Sequence, residues 1–259
     1  MNITVCVKLI PNAEAQTRID LQSMTLDRSE GLVLDDSDTY SVEMALQIVE
    51  AQGSGEVTVV SMAPRDGADG LRTALATGAS NAVLVSDSAL SGSDALSTAK
   101  VLAAVVRRVG ADLVLCATES TDGYTGTVPS QLAELLGYPS VTFARRVEAS
   151  ADSVVVERQT EEGFDRVRCP IPVVISVTAG IVEPRYPTFR GIMRARSLPI
   201  DIVSLADLEI PEVGAGALGA RQTVLAAVAN EGRGAGVVEV DEGNAEERIV
   251  ELLSEWKVI

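Results

Sequence analysis

The densest run of chemically useful groups in the chain is Ser120-Thr121-Asp122-Gly123-Tyr124-Thr125-Gly126-Thr127, followed by Val128. It lies between an apolar triplet, Leu113 to Leu115, and a stretch that places Leu132, Leu135 and Leu136 on one helical face. A loop joining the carboxyl end of a strand to the amino end of a helix suits a phosphate. The first-turn amides have no intrahelical partners, and the helix dipole favours an anion there. Asp122 is placed to hold a ribose hydroxyl, while Thr125 and Thr127 cap the helix or donate to phosphate oxygens. The same composition also describes an ordinary strand-to-helix turn with Thr125 as N-cap. The loop alone does not choose between them.

The elements around this loop alternate regularly. A first strand is expected over residues 3–10, apolar enough to be buried on both faces, and Pro11 to Leu34 is a polar insertion expected as a hairpin or long loop. Asp35-Asp36-Ser37-Asp38 precedes a helix with Val42, Ala45, Leu46 and Val49 on one side and Gly53 at its end. These acids read either as N-cap chemistry or as a polar wall beside a ligand. A strand at 56–63, a helix at 66–79, a strand at 81–87 and a helix at 93–110 lead back to Asp112. This order implies a parallel-sheet α/β fold whose ligands lie beyond the carboxyl ends of the strands. After Pro139 the pattern changes to antiparallel strands: SVTFARRVEA, SVVVERQTEEGF and VRCPIPVVISV. An irregular loop, IVEPRYPTFRGIMRARSLP, and a last strand, IDIVSL, complete a domain over 1–208. Residues 209–259 are expected as an arm rich in Gly, Ala and Glu, closing with an amphipathic helix whose Ile249, Leu252, Leu253 and Trp256 need a partner surface.

Composition narrows the chemistry. Thirty-seven acidic against 21 basic residues give a net charge of −16, which opposes non-specific binding to nucleic acid. No apolar run reaches the ~18–20 residues of a membrane span, and the strand-like start carries no features of a targeting segment. A cytoplasmic protein is expected. The three cysteines (Cys6, Cys116, Cys169) are widely spaced and suit buried thiols. With no histidine at all, Ser-His-Asp and Cys-His nucleophilic sites are excluded from this chain, and no metal-ligand spacing is present. The expectation is a protein with no catalytic residues of its own.

Two motifs mislead. Gly214, Gly216 and Gly219 match GxGxxG, with Asp241 about twenty residues on, but no strand precedes them and too little chain follows for a dinucleotide domain. Ser91-Gly92-Ser93-Asp94 is similar to a pyrophosphatase loop but reads better as a helix N-cap.

A resemblance to a known family is carried by the second half. Glu183-Pro184-Arg185-Tyr186-Pro187-Thr188-Phe189-Arg190-Gly191-Ile192-Met193 closely resembles the recognition loop of electron transfer flavoprotein beta subunits, EPRYxxLxxIM. Upstream, Val156-x-Arg158-x-x-Glu161-Glu162, Val167 and Pro172-x-Val174-Ile175-Ser176 follow the family signature, with Asp165 where Glu or Gln is usual. Val5-Cys6-Val7-Lys8, the segment Arg72 to Ala79 and the Asp122 loop fall in the family's order.

The resemblance implies a three-layer, adenine-nucleotide alpha-hydrolase-like α/β fold with an antiparallel extension and a C-terminal arm packing on an alpha subunit. That alpha subunit carries the redox-active FAD, and the beta subunit holds a structural AMP. By position the AMP contacts fall on Cys6, Asp35, Asp36, Ser37, Asp38, Met62, Asp122, Gly123, Tyr124, Thr125, Gly126, Thr127 and Val128. Partner docking falls on residues 183–196, through Glu183, Pro184, Arg185, Tyr186, Phe189, Ile192 and Met193, with Phe189 where the family usually inserts Leu. The partners implied are flavin dehydrogenases, such as those of fatty acid oxidation acting on acyl-CoA, and a quinone oxidoreductase or other acceptor downstream. The chain departs from the family pattern at Arg194-Ala195-Arg196, which replaces a lysine run, and at Tyr124 and Thr127 in the nucleotide loop. Two other readings stand beside this one. One is a subunit of an electron-bifurcating complex with a second FAD in the AMP site; the other is a free-standing adenine-nucleotide-binding regulator.

Overall fold

A computed structural model describes residues 1–12, 19–29, 31–228, 240–241 and 243–259. Parts of the polar insertion (13–18 and 30) and of the arm (229–239 and 242) lie outside the described residues. The chain divides into two compact units, Met1–Ala227 and Val228–Ile259.

The first unit opens with β1 (Asn2–Cys6), then β2 (Leu9–Pro11), β3 (Ile19–Asp20), β4 (Thr25–Leu26) and β5 (Leu32–Leu34). β2 pairs with β5 and β3 with β4, both antiparallel. Helix α1 (Asp36–Gln52) follows, begun by Asp35 and ended by Gly53 at φ +71°, where a left-handed residue without Cβ costs little. Then come β6 (Glu56–Met62), α2 (Leu71–Thr77), β7 (Asn81–Val85), α3 (Ala95–Val109), β8 (Leu113–Ala117) and α4 (Val128–Leu136). Asp94 caps α3, its carboxylate accepting the Ser97 amide at 2.7 Å, as its place in the sequence suggests. The extension consists of β9 (Ser140–Ala149), β10 (Ser153–Thr160) and β11 (Gly163–Pro170), after which the unit continues through β12 (Val173–Val177), α5 (Phe189–Ser197), β13 (Asp201–Val203) and α6 (Gly216–Gly219).

The main sheet runs in the order β11-β10-β9-β12-β8-β1-β6-β7-β13. The strands from β9 to β13 are parallel to their neighbours, and β10 and β11 add antiparallel to β9. Because side chains alternate across a strand, one face presents Val5 and Leu115 to α1 and α2. The other presents Cys6, Val60 and Cys116 to α3 and α4. The chain leaves β1 for β6 on one side and returns to β8 on the other. The carboxyl ends of β1 and β8 therefore flank the topological switch point, where crevices open in such sheets. This is the α/β fold expected, with its antiparallel extension.

Four segments differ from expectation. The strand expected over 3–10 is two, β1 ending at Cys6 in the main sheet and β2 pairing with β5 in a separate one. VRCPIPVVISV is two strands: β11 ends at Pro170, and the wholly buried β12 returns parallel to β8, where continuous apolar runs belong. The 66–79 helix is a 3₁₀ turn over Arg65–Gly70 followed by the shorter α2. The irregular loop after Ile181 contains α5, whose sequence looks unpromising because Pro187 and Gly191 read as breakers. Pro187 lies outside the helix, Thr188 caps it by accepting the Gly191 amide, and Gly191 lets it sit close on α2. A Cβ there would lie 2.2 Å from the Ala76 carbonyl oxygen.

The decoy glycines are structural. Gly216, at φ +56°, packs where a Cβ would meet the Ala89 carbonyl at 1.9 Å. Within the second unit, α7 (Ala245–Glu255) exposes Ile249 and Val250, with Leu252 and Leu253 half-buried and Trp256 exposed just beyond.

Candidate functional site

Two carboxylates at the amino end of α1 tie together the strand ends at the switch point, the crevice position of this fold. Asp35 is fully buried; its Oδ1 accepts the Ser37 amide at 3.0 Å, and its Oδ2 accepts the Thr121 amide at 2.8 Å from the loop after β8. Ser37 Oγ lies within hydrogen-bond distance of Asp35 Oδ1 and of the Glu119 carbonyl. Asp38, also buried, accepts the Lys8 amide at 2.6 Å and the Ala117 amide, so one carboxylate spans the ends of β1 and β8. Burial, reinforced by the nearby Asp35 charge, pushes its pKa up to about 8. Beneath it Cys6 and Cys116 stand in register on neighbouring strands, and the hydrogen bond with the Cys6 thiol, together with burial, raises the Cys116 thiol well above its ordinary value.

Two cations meet on Asp122. Lys8 Nζ donates to Asp122 Oδ1 at 2.5 Å and to Ser120 Oγ at 3.1 Å. Arg28 donates to Asp122 Oδ2 at 2.5 Å and to the Leu9 carbonyl at 3.2 Å. Burial would raise the Asp122 pKa, but the Lys8 and Arg28 hydrogen bonds and charges outweigh it and hold the carboxyl below its ordinary value. Both Asp122 oxygens are thus engaged within the chain.

The loop beyond Asp122 offers donors. Tyr124 and Gly126 adopt positive φ (48° and 62°), and the Tyr124 amide closes a turn on the Ser120 carbonyl at 3.0 Å. The amides of Gly123, Thr125, Gly126, Thr127 and Val128 make no hydrogen bond among the described residues. Successive free amides around left-handed residues form an anion-binding concavity. Helix α4 begins with Thr127 as N-cap, and its hydroxyl makes no capping bond, so Thr125 is not the cap and neither threonine hydroxyl is spent on it. In the first turns of α4, Gln131 Oε1 is buried without a partner among the described residues. Free amides, two nearby cations and an orphaned buried acceptor suit a nucleotide.

A second cluster lies on the far part of α1. Arg185, in the irregular stretch before α5, donates to both oxygens of Glu43 (2.7 and 3.0 Å) and to both oxygens of Glu50 (2.6 and 3.1 Å). Beyond it Tyr186 is 91% and Phe189 81% exposed, and Ile192 and Met193 also face solvent. Phe189, Ile192 and Met193 fall at i, i+3 and i+4, forming one apolar stripe on α5.

Comparison with known proteins decides the lineage. The family model described as the electron transfer flavoprotein domain matches residues 23–208. The chain is 36% identical to the electron transfer flavoprotein subunit beta of Mycobacterium tuberculosis, covering 100% of this chain and 99% of the relative. The chain belongs to the electron transfer flavoprotein beta-subunit family. Subunits beta from Thermoanaerobacterium thermosaccharolyticum (36% identity, 98% and 96% coverage) and Megasphaera elsdenii (33%, 98% and 97%) agree end to end.

The family's expected positions distribute as follows. Asp35, Ser37 and Asp38 are tied by the bonds above to the strand ends and to the start of the loop that runs through Asp122 to Val128, and Cys6 is buried in the core at the end of β1. Asp36 is exposed in the first turn of α1, and Met62 ends β6, the neighbour of β1 on its other side. Among the docking positions, Glu183 is exposed and Pro184 half-buried. Sequence reasoning marked Lys8 only as part of a strand end, Cys6 to Lys8, and missed Arg28 at the crevice and Glu43 and Glu50 beneath the recognition segment. No role for the Lys8 ammonium was readable from its place at the strand end, and nothing local marks Arg28. The two glutamates did carry a signal, since acids seven residues apart share a helix face.

Proposed function

We propose that this chain is the beta subunit of a heterodimeric electron transfer flavoprotein, a carrier that takes electrons from flavin dehydrogenases and delivers them to a quinone oxidoreductase or another acceptor. It works in the cytoplasm, paired with an alpha subunit that holds most of the FAD. The FAD supplies the redox chemistry when bound, and this chain supplies binding and orientation. The crevice holds a structural AMP: the free amides from Gly123 to Val128 take the phosphate, supported by Lys8 and Arg28, with Cys6, Asp35, Asp36, Ser37, Asp38 and Met62 around the remainder. Residues 1–208 form the nucleotide-binding domain, and 209–259 the arm and helix that meet the alpha subunit. No helix among the described residues is long and apolar enough to cross a membrane.

Dehydrogenases dock at Tyr186, Phe189, Ile192 and Met193. The apolar stripe on α5, which no described part of the chain covers, carries this reading, because exposed aromatic anchors of this kind mark interfaces. The test is to purify the chain with its alpha subunit and mix it with a substrate-reduced flavin dehydrogenase. Rapid, saturable reduction of the heterodimer's flavin is expected. A flavin that dithionite reduces but no flavin dehydrogenase does would contradict the carrier role.

A further inference from the structure

Residues 183–188 form neither helix nor strand, yet they carry Tyr186 and lead directly into Phe189. An irregular segment presents an anchor in one geometry only if the chain beneath it is tied down, since ordering it at the moment of binding weakens association. Arg185 supplies the tie. Its side chain engages all four carboxylate oxygens of Glu43 and Glu50, and its backbone N–H also donates to Glu43 Oε2 at 3.3 Å. Glu43 is buried, and Gln47 donates to its Oε1 at 2.7 Å, which fixes the carboxylate before Arg185 meets it. Arg185 is the cation paired with either glutamate among the described residues. Bidentate pairs of this kind add directional precision to charge. A second arginine of the segment also turns inward, Arg194 donating to the Ala79 carbonyl at 2.8 Å.

From this geometry we infer that Arg185, gripped by Glu43 and Glu50, is a positioning residue: it fixes the recognition segment on helix α1 so that Tyr186 and Phe189 are presented in one conformation, and it does not itself contact the dehydrogenase. The inference rests on the docking role proposed above. It replaces the expectation that Arg185 is part of the contact surface. Four hydrogen bonds from the guanidinium go to its own chain, and Arg190, Arg194 and Arg196 are the exposed arginines of α5.

The test uses the purified heterodimer. Because Arg185→Ala would strand the buried Glu43 charge and risks misfolding, the informative variants are the apolar double replacement Glu43→Leu/Arg185→Leu and the single Glu50→Ala, which removes only the exposed half of the grip. Flavin content, thermal unfolding and reduction by dithionite serve as controls for a folded complex. The half-saturating dehydrogenase concentration is expected to rise about tenfold or more in the double variant and severalfold in Glu50→Ala, with the rate at saturation within about twofold of the parent. A merely structural pair would leave half-saturation unchanged once the complex is folded. If half-saturation stays put in the double variant while Phe189→Ala raises it, the positioning role is overturned and the docking reading stands. If Phe189→Ala leaves it unchanged as well, the docking reading fails and this inference falls with it.

Discussion

The ammonium of Lys8 lies 2.5 Å from Asp122, joining the end of the first strand to a loop 114 residues further along the chain. With Arg28 on the other oxygen, Asp122 keeps two cations together. Charge-assisted hydrogen bonds of this kind contribute about 1.5–3 kcal/mol each. Lys8→Met and Arg28→Met are each expected to weaken nucleotide retention by roughly ten- to a hundredfold, read as nucleotide recovered per heterodimer after extended dialysis. Full retention in both variants would remove the cations from the site.

Asp38 and Asp122 respond to pH in opposite senses. Asp38 has a folded pKa of about 8 against an ordinary 3.8, so the native state binds more protons than the unfolded chain between those values. Stability therefore falls as pH rises through that range and levels off above it. Asp122 is held below 3.8, so its contribution is present above that value and is lost as pH falls through the folded pKa. Asp38→Asn removes the first effect. Its unfolding free energy should gain on the parent's by up to about 1.4 kcal/mol per pH unit between roughly pH 5 and pH 8, measured by urea unfolding. A gap that stays constant with pH would show that Asp38 ionises normally.

Phe189→Ala is expected to lower dehydrogenase affinity by about thirtyfold or more, the loss typical of a buried aromatic anchor at about 2 kcal/mol. Heterodimer assembly and FAD content should be unchanged. Titration of oxidised heterodimer with dehydrogenase measures this.

Gly191→Ala tests how α5 is seated. A Cβ at 2.2 Å from the Ala76 carbonyl meets backbone, which cannot rotate away, so α5 must lift from α2. A loss of about 1–3 kcal/mol is expected, together with faster amide exchange confined to α5. Unchanged stability would mean that the helix tolerates a looser contact.

The sheet was legible because its strands are apolar on both faces and its helices amphipathic, as Val5, Leu115 and the Val42, Ala45, Leu46 stripe illustrate. Once the strand–helix alternation was read as a parallel sheet, the ligand-facing edge followed from topology, and Asp35, Asp38 and the Asp122 loop lay where the strands end. Lys8 was legible only as part of a strand end, and Arg28 was not legible at all. Their shared partner, Asp122, is distant in sequence, and Arg28, on a polar insertion, looks like any solvated side chain. Helix α5 was hidden because Gly191 serves close packing, a tertiary property that local propensity registers only as a breaker. The grip of Glu43 and Glu50 on Arg185 was hidden too, since sequence shows charge but not which way it turns.

The central claim is a carrier subunit with a structural nucleotide in the crevice at the β1–β8 switch point. It is tested most directly by co-expressing the chain with its alpha subunit, purifying the complex and quantifying the nucleotides released on denaturation. One FAD and one AMP per heterodimer is the result predicted. Two FAD and no AMP would contradict it, making the loop from Asp122 a redox site.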